Sequence, residues 1–333
     1  MSLSIDQLIA TNEPPAEWDV RLLQGTSGSL LLYHSTPWAI RIHELLGFTP
    51  TYFTLKENEK PHLMLIGFTT PTAQGKWAGI RRFKNRLKGI RGCFSWYGQP
   101  VQLPGCNKSS WSALAKELTG FAKEKGFLIT GGEWPITLSD TLENGWKSKK
   151  WATLKINLSS DVETLTKNLD RAARKEVRKA QEKGIVIHRV ATIQEMEEYG
   201  RFAEECARRY GKGNVSKKDY LFCWNFLRSS TIIFETFAAF FNEKCIAGLS
   251  IWGTHSSVME LGSYQTEECF KEKLPGPDLL KWTIIEWAKS QGIKLYDLAG
   301  INPENPTQKE INIRRFKEKW GGEYSEYLLV QNP

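Results

Sequence analysis

Two widely separated stretches carry apolar residues at helical spacing and then switch to a short apolar run. Residues 111–134 read WSALAKELTGFAKEKGFLITGGEW, and residues 279–300 read LLKWTIIEWAKSQGIKLYDLAG. At a constant offset Leu114 meets Leu280, Leu118 meets Ile284, Phe121 meets Trp287, and Gly126 meets Gly292. Each stretch predicts an amphipathic helix closed by glycine and followed by a strand. Two copies this far apart are too few for a solenoid, whose units recur every ~20–50 residues. The pattern therefore predicts one αβ domain duplicated in tandem.

The second copy reads clearly. TLKINL (153–158) alternates as a strand, and Ser160 with Glu163 forms a capping box opening one long helix that ends at Gly184. IVIHRV (185–190) is a strand, and Thr192 with Glu195 opens a helix running to about Arg209. Ser216 caps a further helix through Trp224 and Phe226. TIIFETFAAFF, CIAGLSIWG and SVMELGSY read as three strands, the first two joined by a turn at Asn242–Lys244. The first copy shows a helix near Trp38, the strand PHLMLIGFTT, a basic segment and the strand FSWYGQPVQL. The class is α/β, with helices covering a mixed sheet in each half. The boundary is expected in NGWKSKK, giving domains 1–150 and 151–323, with the closing strand 324–333 completing the first.

Hydrophobic content of 41% and charged content of 25% describe a globular chain of 333 residues. No apolar run approaches the ~18 residues of a membrane-spanning helix, and the N-terminus lacks a signal-peptide pattern, so the expected compartment is the cytoplasm. Six scattered cysteines without a CxxC pair, and five scattered histidines, predict neither a metal site nor a disulfide framework. The Walker, GxGxxG and GxSxG patterns are missing, which removes the motif basis for a nucleotide triphosphatase or serine hydrolase.

Net charge is +8 and is concentrated in three places. Lys76, Arg81, Arg82, Lys84, Arg86, Lys88 and Arg91 come without an acid between them, interleaved with Trp77 and Phe83. Such a stretch is either a solvated loop or a set of phosphate contacts with stacking platforms for unpaired bases. RAARKEVRKAQEKG (171–184) stacks Arg171/Lys175, Arg174/Arg178 and Lys175/Lys179 as like-charge pairs, a solvated face or one that lies against an anion. The third place is INIRRFKEKW (311–320). On a helix Ile313, Phe316 and Trp320 share the inward side, while Arg314, Arg315, Glu318 and Lys319 point outward. Lys317 falls about 40° from Ile313, so its stem runs with the apolar side. Its ammonium either snorkels to water or enters a cleft beside a ligand.

The segments TLKINLSSDVETL, RKAQEKGIVI, AKSQGIKLYDLAGINPE and RRFKEKWGGE together resemble the FemABX aminoacyltransferases, with weaker agreement through HSTPWAIRIHELLG and FSWYGQPV. The resemblance implies two tandem acetyltransferase-like (GNAT) domains, each a mixed sheet covered by helices. It implies transfer of an amino acid from aminoacyl-tRNA to an amine of a peptidoglycan precursor, with no cofactor and no metal. It makes Phe316 and Lys317 the pair at the reaction site, in a cleft of the second domain. Arg41, standing after Trp38 where the family has lysine, and Arg209 with its neighbour Arg208 become the diphosphate-binding cations, and Tyr264 a cleft residue. The tRNA is expected on Lys76, Arg81, Arg82, Lys84, Arg174, Arg178, Arg314 and Arg315. A monomer without the long coiled-coil arm, touching the inner membrane face peripherally, completes the expectation.

An aminoacyl ester is already activated, so this chemistry needs no protein nucleophile. It needs orientation of two substrates and positive charge where an oxyanion develops. The alternatives are an acyl-CoA-dependent N-acyltransferase of the same fold and a non-catalytic nucleic-acid-binding protein. Acyl-CoA binding is weakened by the segment EKLPGPDLLKW, whose Pro275 and Pro277 lack N–H donors at the start of the repeat helix.

Overall fold

The computed structural model describes residues 7–25, 28–70, 89–209, 215–228 and 232–332, with side chains left undescribed at 28–30. The chain divides into two compact units. One comprises the described residues through Trp151 together with the stretch from Glu326, and the other is Ala152–Ser325.

In the first unit β1 (Gln7–Thr11), β2 (Thr49–Glu57), β3 (Lys60–Thr70), β4 (Gly92–Trp96) and β6 (Phe127–Gly131) lie in that order, with β5 (Val101–Gln102) beside β3. All pairs are antiparallel except β4 with β6. The crossover between that parallel pair contains α3 (Lys108–Lys125), after α1 (Trp18–Leu22) and α2 (Thr36–Leu46). Asn107 and Ser110 cap α3 reciprocally, and Gly126 closes it with φ +67°. FSWYGQPVQL, expected as one strand, is split into β4 and β5 by the turn at 97–100, where Gly98 has φ +69°. Fully buried His34 spans this turn and β3. Its Nε2–H donates to the Gln99 carbonyl at 2.9 Å, and its Nδ1 accepts from the Ile66 N–H at 3.1 Å. Burial holds it neutral and lowers its pKa from 6.5 to about 4. The closing strand β14 (Glu323–Gln331) pairs Tyr327–Leu329 with β7 (Glu133–Pro135), and Asn332 covers the Ile129 backbone.

In the second unit the order is β8 (Lys147–Asn157), β13 (Leu295–Ile301), β12 (Ser257–Gln265), β11 (Lys244–Thr254), β10 (Ile233–Phe241) and β9 (Val186–Arg189). Only β12 and β13 are parallel. Their crossover contains α8 (Glu267–Lys271) and α9 (Gly276–Ser290), closed by Gly292 at φ +75°. The internal repeat is thus the same structural element twice, the helix and strand that return the chain to a parallel neighbour. Antiparallel hairpins do not need such a crossover, whereas a parallel pair does.

The helix expected to run unbroken to Gly184 is two helices, α4 (Val162–Asn168) and α5 (Arg171–Glu182). Asp161, not Ser160, caps α4 by accepting from the Thr164 N–H at 2.7 Å, and Asp170 caps α5 through Ala172. The Thr192–Glu195 box at the start of α6 (Ile193–Arg209) and the Ser216 cap of α7 (Lys217–Phe222) form as the sequence predicts. Among the described residues no helix is long and apolar enough to cross a membrane.

Candidate active site

The parallel ladder between β12 and β13 joins Ser257–Met259 to Leu295–Asp297 and then stops, although both strands continue. Each strand carries a bulge just beyond that point. Leu261 is the extra residue of β12 against β11, and Leu298 with Ala299 oppose Leu154 alone in the pairing of β13 with β8. Bulges bend the strand that bears them, so the two neighbours part after the third pair. Ala299 takes φ +62°, a left-handed conformation costing an L-residue roughly 1–2 kcal/mol. Asp297 holds it there, its Oδ1 accepting from the Ala299 N–H at 2.8 Å and from the Thr153 hydroxyl.

Lys317 reaches this bulge from α10 (Gln308–Glu318), a helix fixed by the reciprocal Thr307–Glu310 box. Its Nζ donates to the Ala299 carbonyl at 3.1 Å and the Gly300 carbonyl at 3.0 Å. An ammonium has three N–H donors, so one is left. Lys317 is buried, and desolvation lowers its pKa from 10.5 to about 8 against the opposing pull of Asp297. Of the two readings of its stem position, snorkelling to water is not what the structure shows: the ammonium turns inward onto the β13 bulge. Phe316 is half-buried against the core and Trp320 fully buried, but Ile313, assigned inward from its spacing, is exposed at the first turns of α10.

Two further lysines share the neighbourhood. Lys281, on α9 and 2% exposed, forms an ion pair with Glu260 Oε1, and the Tyr296 hydroxyl donates to the same oxygen at 3.0 Å. Burial, and then the charges of Lys317 and Lys319, hold the Lys281 pKa well below 10.5. Lys319, expected at the surface, is instead ion-paired with Asp278 in the first turn of α9 and lies 4.1 Å over the Phe316 ring. Burial raises the Asp278 carboxyl, and Lys319 opposes that shift. Sequence reasoning missed Lys281, Glu260, Tyr296 and Asp278. One signal was present: at the repeat offset Lys281 stands where the first copy has Ala115, a fully buried position.

The remaining predicted residues disperse. Arg209 ends α6 with its guanidinium 3.0 Å from the Cys206 sulfur and 3.5 Å from the Gln265 carbonyl, which brings it to the same end of β12 as Tyr264. Tyr264 is buried, its hydroxyl shared with Tyr220, and its ring lies over Gly262, where a Cβ would stand 2.8 Å from the phenol oxygen. Arg208 points outward and pairs with Glu204 at 3.8 Å. Arg41 belongs to the other unit, buried with its guanidinium 4.9 Å from the Trp38 ring. Arg174 is not a free cation: it donates to the Thr166, Lys167 and Leu169 carbonyls at 3.2, 3.1 and 2.6 Å, closing the C-terminus of α4. Arg314 pairs with Glu318 at 2.7 Å and stacks over Tyr324, whereas Arg178 and Arg315 are exposed. Lys76, Arg81, Arg82 and Lys84 lie outside the described residues. Among the described residues no group of three or more His, Cys, Asp or Glu is placed to hold a metal ion.

A helix crossover between two parallel strands of a mixed sheet, present once in each unit, defines a tandem GNAT-like architecture, and comparison with solved structures agrees. FemX superposes with a TM-score of 0.68 at 14% identity, covering 97% of this chain and 96% of its own. A tandem GNAT protein from the clavulanic acid biosynthesis pathway gives 0.52 at 8% identity, covering 98% of both chains. The C-terminal domain of a putative lysylphosphatidylglycerol synthetase from Agrobacterium fabrum gives 0.54 at 11% identity, covering 82% of this chain and 81% of its own. The chain therefore has the FemX-like tandem GNAT fold. No protein-family model matches the sequence, and no curated protein matches it.

Proposed function

We propose that this protein is an aminoacyltransferase that moves an amino acid from aminoacyl-tRNA to an amine of a peptidoglycan precursor or similar peptide, forming a peptide bond in the second unit. The observation that carries the reading is Lys317, a buried lysine pinned by two backbone carbonyls beside the parting of β12 and β13 with one N–H unspent. Ester aminolysis develops negative charge on the carbonyl oxygen and then on the ribose oxygen as the C–O bond breaks. A fixed, poorly solvated cation stabilises both without reorganising. Its lowered pKa also lets it pass a proton to the departing ribose oxygen near neutral pH. Phe316 is the lysine's neighbour on the same helix at the reaction site, and at the far end of β12 Arg209 serves the acceptor's phosphates while Tyr264 lines the substrate cleft. Arg208 is assigned the same class of contact, and Arg41, in the first unit, is proposed by itself as a phosphate-binding cation. Arg178 and Arg315, both exposed, are the described cations assigned to tRNA.

Acyl-CoA is the less favoured donor. The start of α9, where a pyrophosphate would seat on backbone amides, has Pro275 and Pro277 and carries the Asp278 carboxylate in its first turn. Gly276 there is pressed against β11, a Cβ falling 2.9 Å from Ile246 Cδ1. The test is a reaction with a mixed pool of charged tRNA and candidate amine-bearing peptides, read by mass spectrometry. An amino-acid mass increment that disappears after RNase treatment supports the proposal. An increment that persists, or appears only with acyl-CoA, refutes it.

A further inference from the structure

Glu260 is held in a way that a purely structural ion pair does not require. It is the first residue of β12 beyond the ladder with β13, and so stands at the head of the gap between the strands. Lys281 and the Tyr296 hydroxyl both bind Oε1, and the Lys281 Nζ lies 3.4 Å from the Tyr296 oxygen. Tyr296 is fully buried and Lys281 nearly so, which leaves the carboxylate little freedom to turn. Oε2 takes no hydrogen bond from the described residues, while the side chain keeps 12% of its surface exposed. A carboxylate partly withdrawn from water, anchored on one oxygen and open on the other, is completed by an N–H donor. The neighbourhood otherwise balances its charges, with Lys319 on Asp278 and Lys317 within the field of Asp297. Its unspent groups include the acceptor Glu260 Oε2, which stands at the head of the gap, and the third N–H of Lys317, besides Asp278 Oδ2 and the buried Trp320 Nε1–H.

We infer that Glu260 Oε2 binds the primary ammonium group of the acceptor substrate and takes its proton, with Lys281 and Tyr296 as positioning residues. This rests on the transfer reaction proposed above and supplies the step it lacks, since an ammonium ion has no lone pair with which to attack. The proton passes from nitrogen to Oε2, and the freed lone pair forms the C–N bond to the ester carbon. The ester C–O bond then breaks, and the ribose oxygen leaves with a second proton from the same nitrogen by way of Lys317. Glu260 returns its proton to solvent. One amide, one ribose hydroxyl and one proton result.

The test uses a short peptide with a single free lysine amine, its Nε-acetylated form, and charged tRNA. Wild type, E260Q and E260Q/K281M are compared by calorimetry, transfer rate and melting temperature. The double variant removes both charges of the pair together and keeps the core free of an unpaired lysine. Wild type is expected to bind the free amine at least tenfold more tightly than the acetylated peptide. Both variants are expected to lose that preference and to slow transfer at least a hundredfold, with KM for the charged tRNA unchanged. A double variant that melts like wild type and transfers like it would show the pair to be structural and overturn the inference. So would a wild type without ammonium preference, or a defect confined to aminoacyl-tRNA binding. If wild type shows the preference and E260Q loses it, yet no charged tRNA supports transfer, the subsite stands and the proposed reaction falls.

Discussion

Replacing Lys317 with methionine separates the cost of its charge from the value of its chemistry. The fold lowers the pKa from 10.5 to about 8. At about 1.36 kcal/mol per unit, keeping the lysine charged costs the native state about 3 kcal/mol at neutral pH. Methionine removes that cost but forfeits two hydrogen bonds, to the Ala299 and Gly300 carbonyls, worth about 1 kcal/mol each. At pH 7 Lys317→Met should therefore be more stable than wild type by about 1 kcal/mol while losing transfer activity. The pH dependence is the sharper test. Between pH 8 and 10.5 the unfolded chain binds a proton that the native state does not, so wild-type stability gains an upward slope across that window. The variant lacks this contribution, and its advantage should shrink and reverse by pH 10.5, staying constant below pH 8. Urea unfolding of both proteins from pH 6 to 10.5 measures it. Parallel stability curves would show that Lys317 is not desolvated in the native state and would sink the argument.

Other residues give independent tests. Arg174→Ala should cost about 1–2 kcal/mol in urea unfolding, because three carbonyls at the end of α4 lose their donor, and Arg174→Lys should not restore it. The same variant should bind tRNA with an unchanged salt dependence, and a reduced slope would return Arg174 to the nucleic-acid surface. Ala299→Gly should raise stability by about 1 kcal/mol by relieving the left-handed residue, and a lower melting temperature would contradict the bulge geometry. His34, with its pKa lowered from 6.5 to about 4, contributes stability that is complete above pH 6.5 and lost as pH falls toward 4. The loss should reach about 3 kcal/mol and be missing from His34→Gln, read by acid titration of the folded fraction.

What the sequence disclosed follows the range of the interactions involved. The repeat was legible because helix periodicity and a closing glycine are local, and both copies proved to be crossovers of a parallel pair. The inward stem of Lys317 was legible for the same reason, since about 100° per residue places it beside the apolar side. Its consequences were not, because the carbonyls that receive it come from a bulge whose residue is Ala299 rather than glycine. An alanine does not itself mark a left-handed backbone; Asp297, two residues before it, accepts its N–H, and Thr153 of β8 fixes both Asp297 and the Ala299 carbonyl from far off in sequence. Register beyond Met259 likewise depends on partners far apart in sequence, so Glu260 read as one polar residue in an alternating strand. The break at Leu169–Asp170 shows local signals in competition. Ser160 and Glu163 have the capping-box spacing, but Asp161 and Asp170 form better caps, and Arg174 is then drawn onto the exposed carbonyls between them. Lys281 was accessible only by comparing the copies, where a buried alanine is answered by a lysine.

The central claim is that Lys317 acts on an aminoacyl ester held where β12 and β13 part. Its most direct test is single-turnover transfer from radiolabelled aminoacyl-tRNA to a peptide amine by wild type and Lys317→Ala, with folding checked by the near-UV spectrum. Wild type should transfer label in a way that RNase treatment abolishes, and the folded variant should be slower by at least a hundredfold. A folded Lys317→Ala protein that turns over at the wild-type rate would contradict the account.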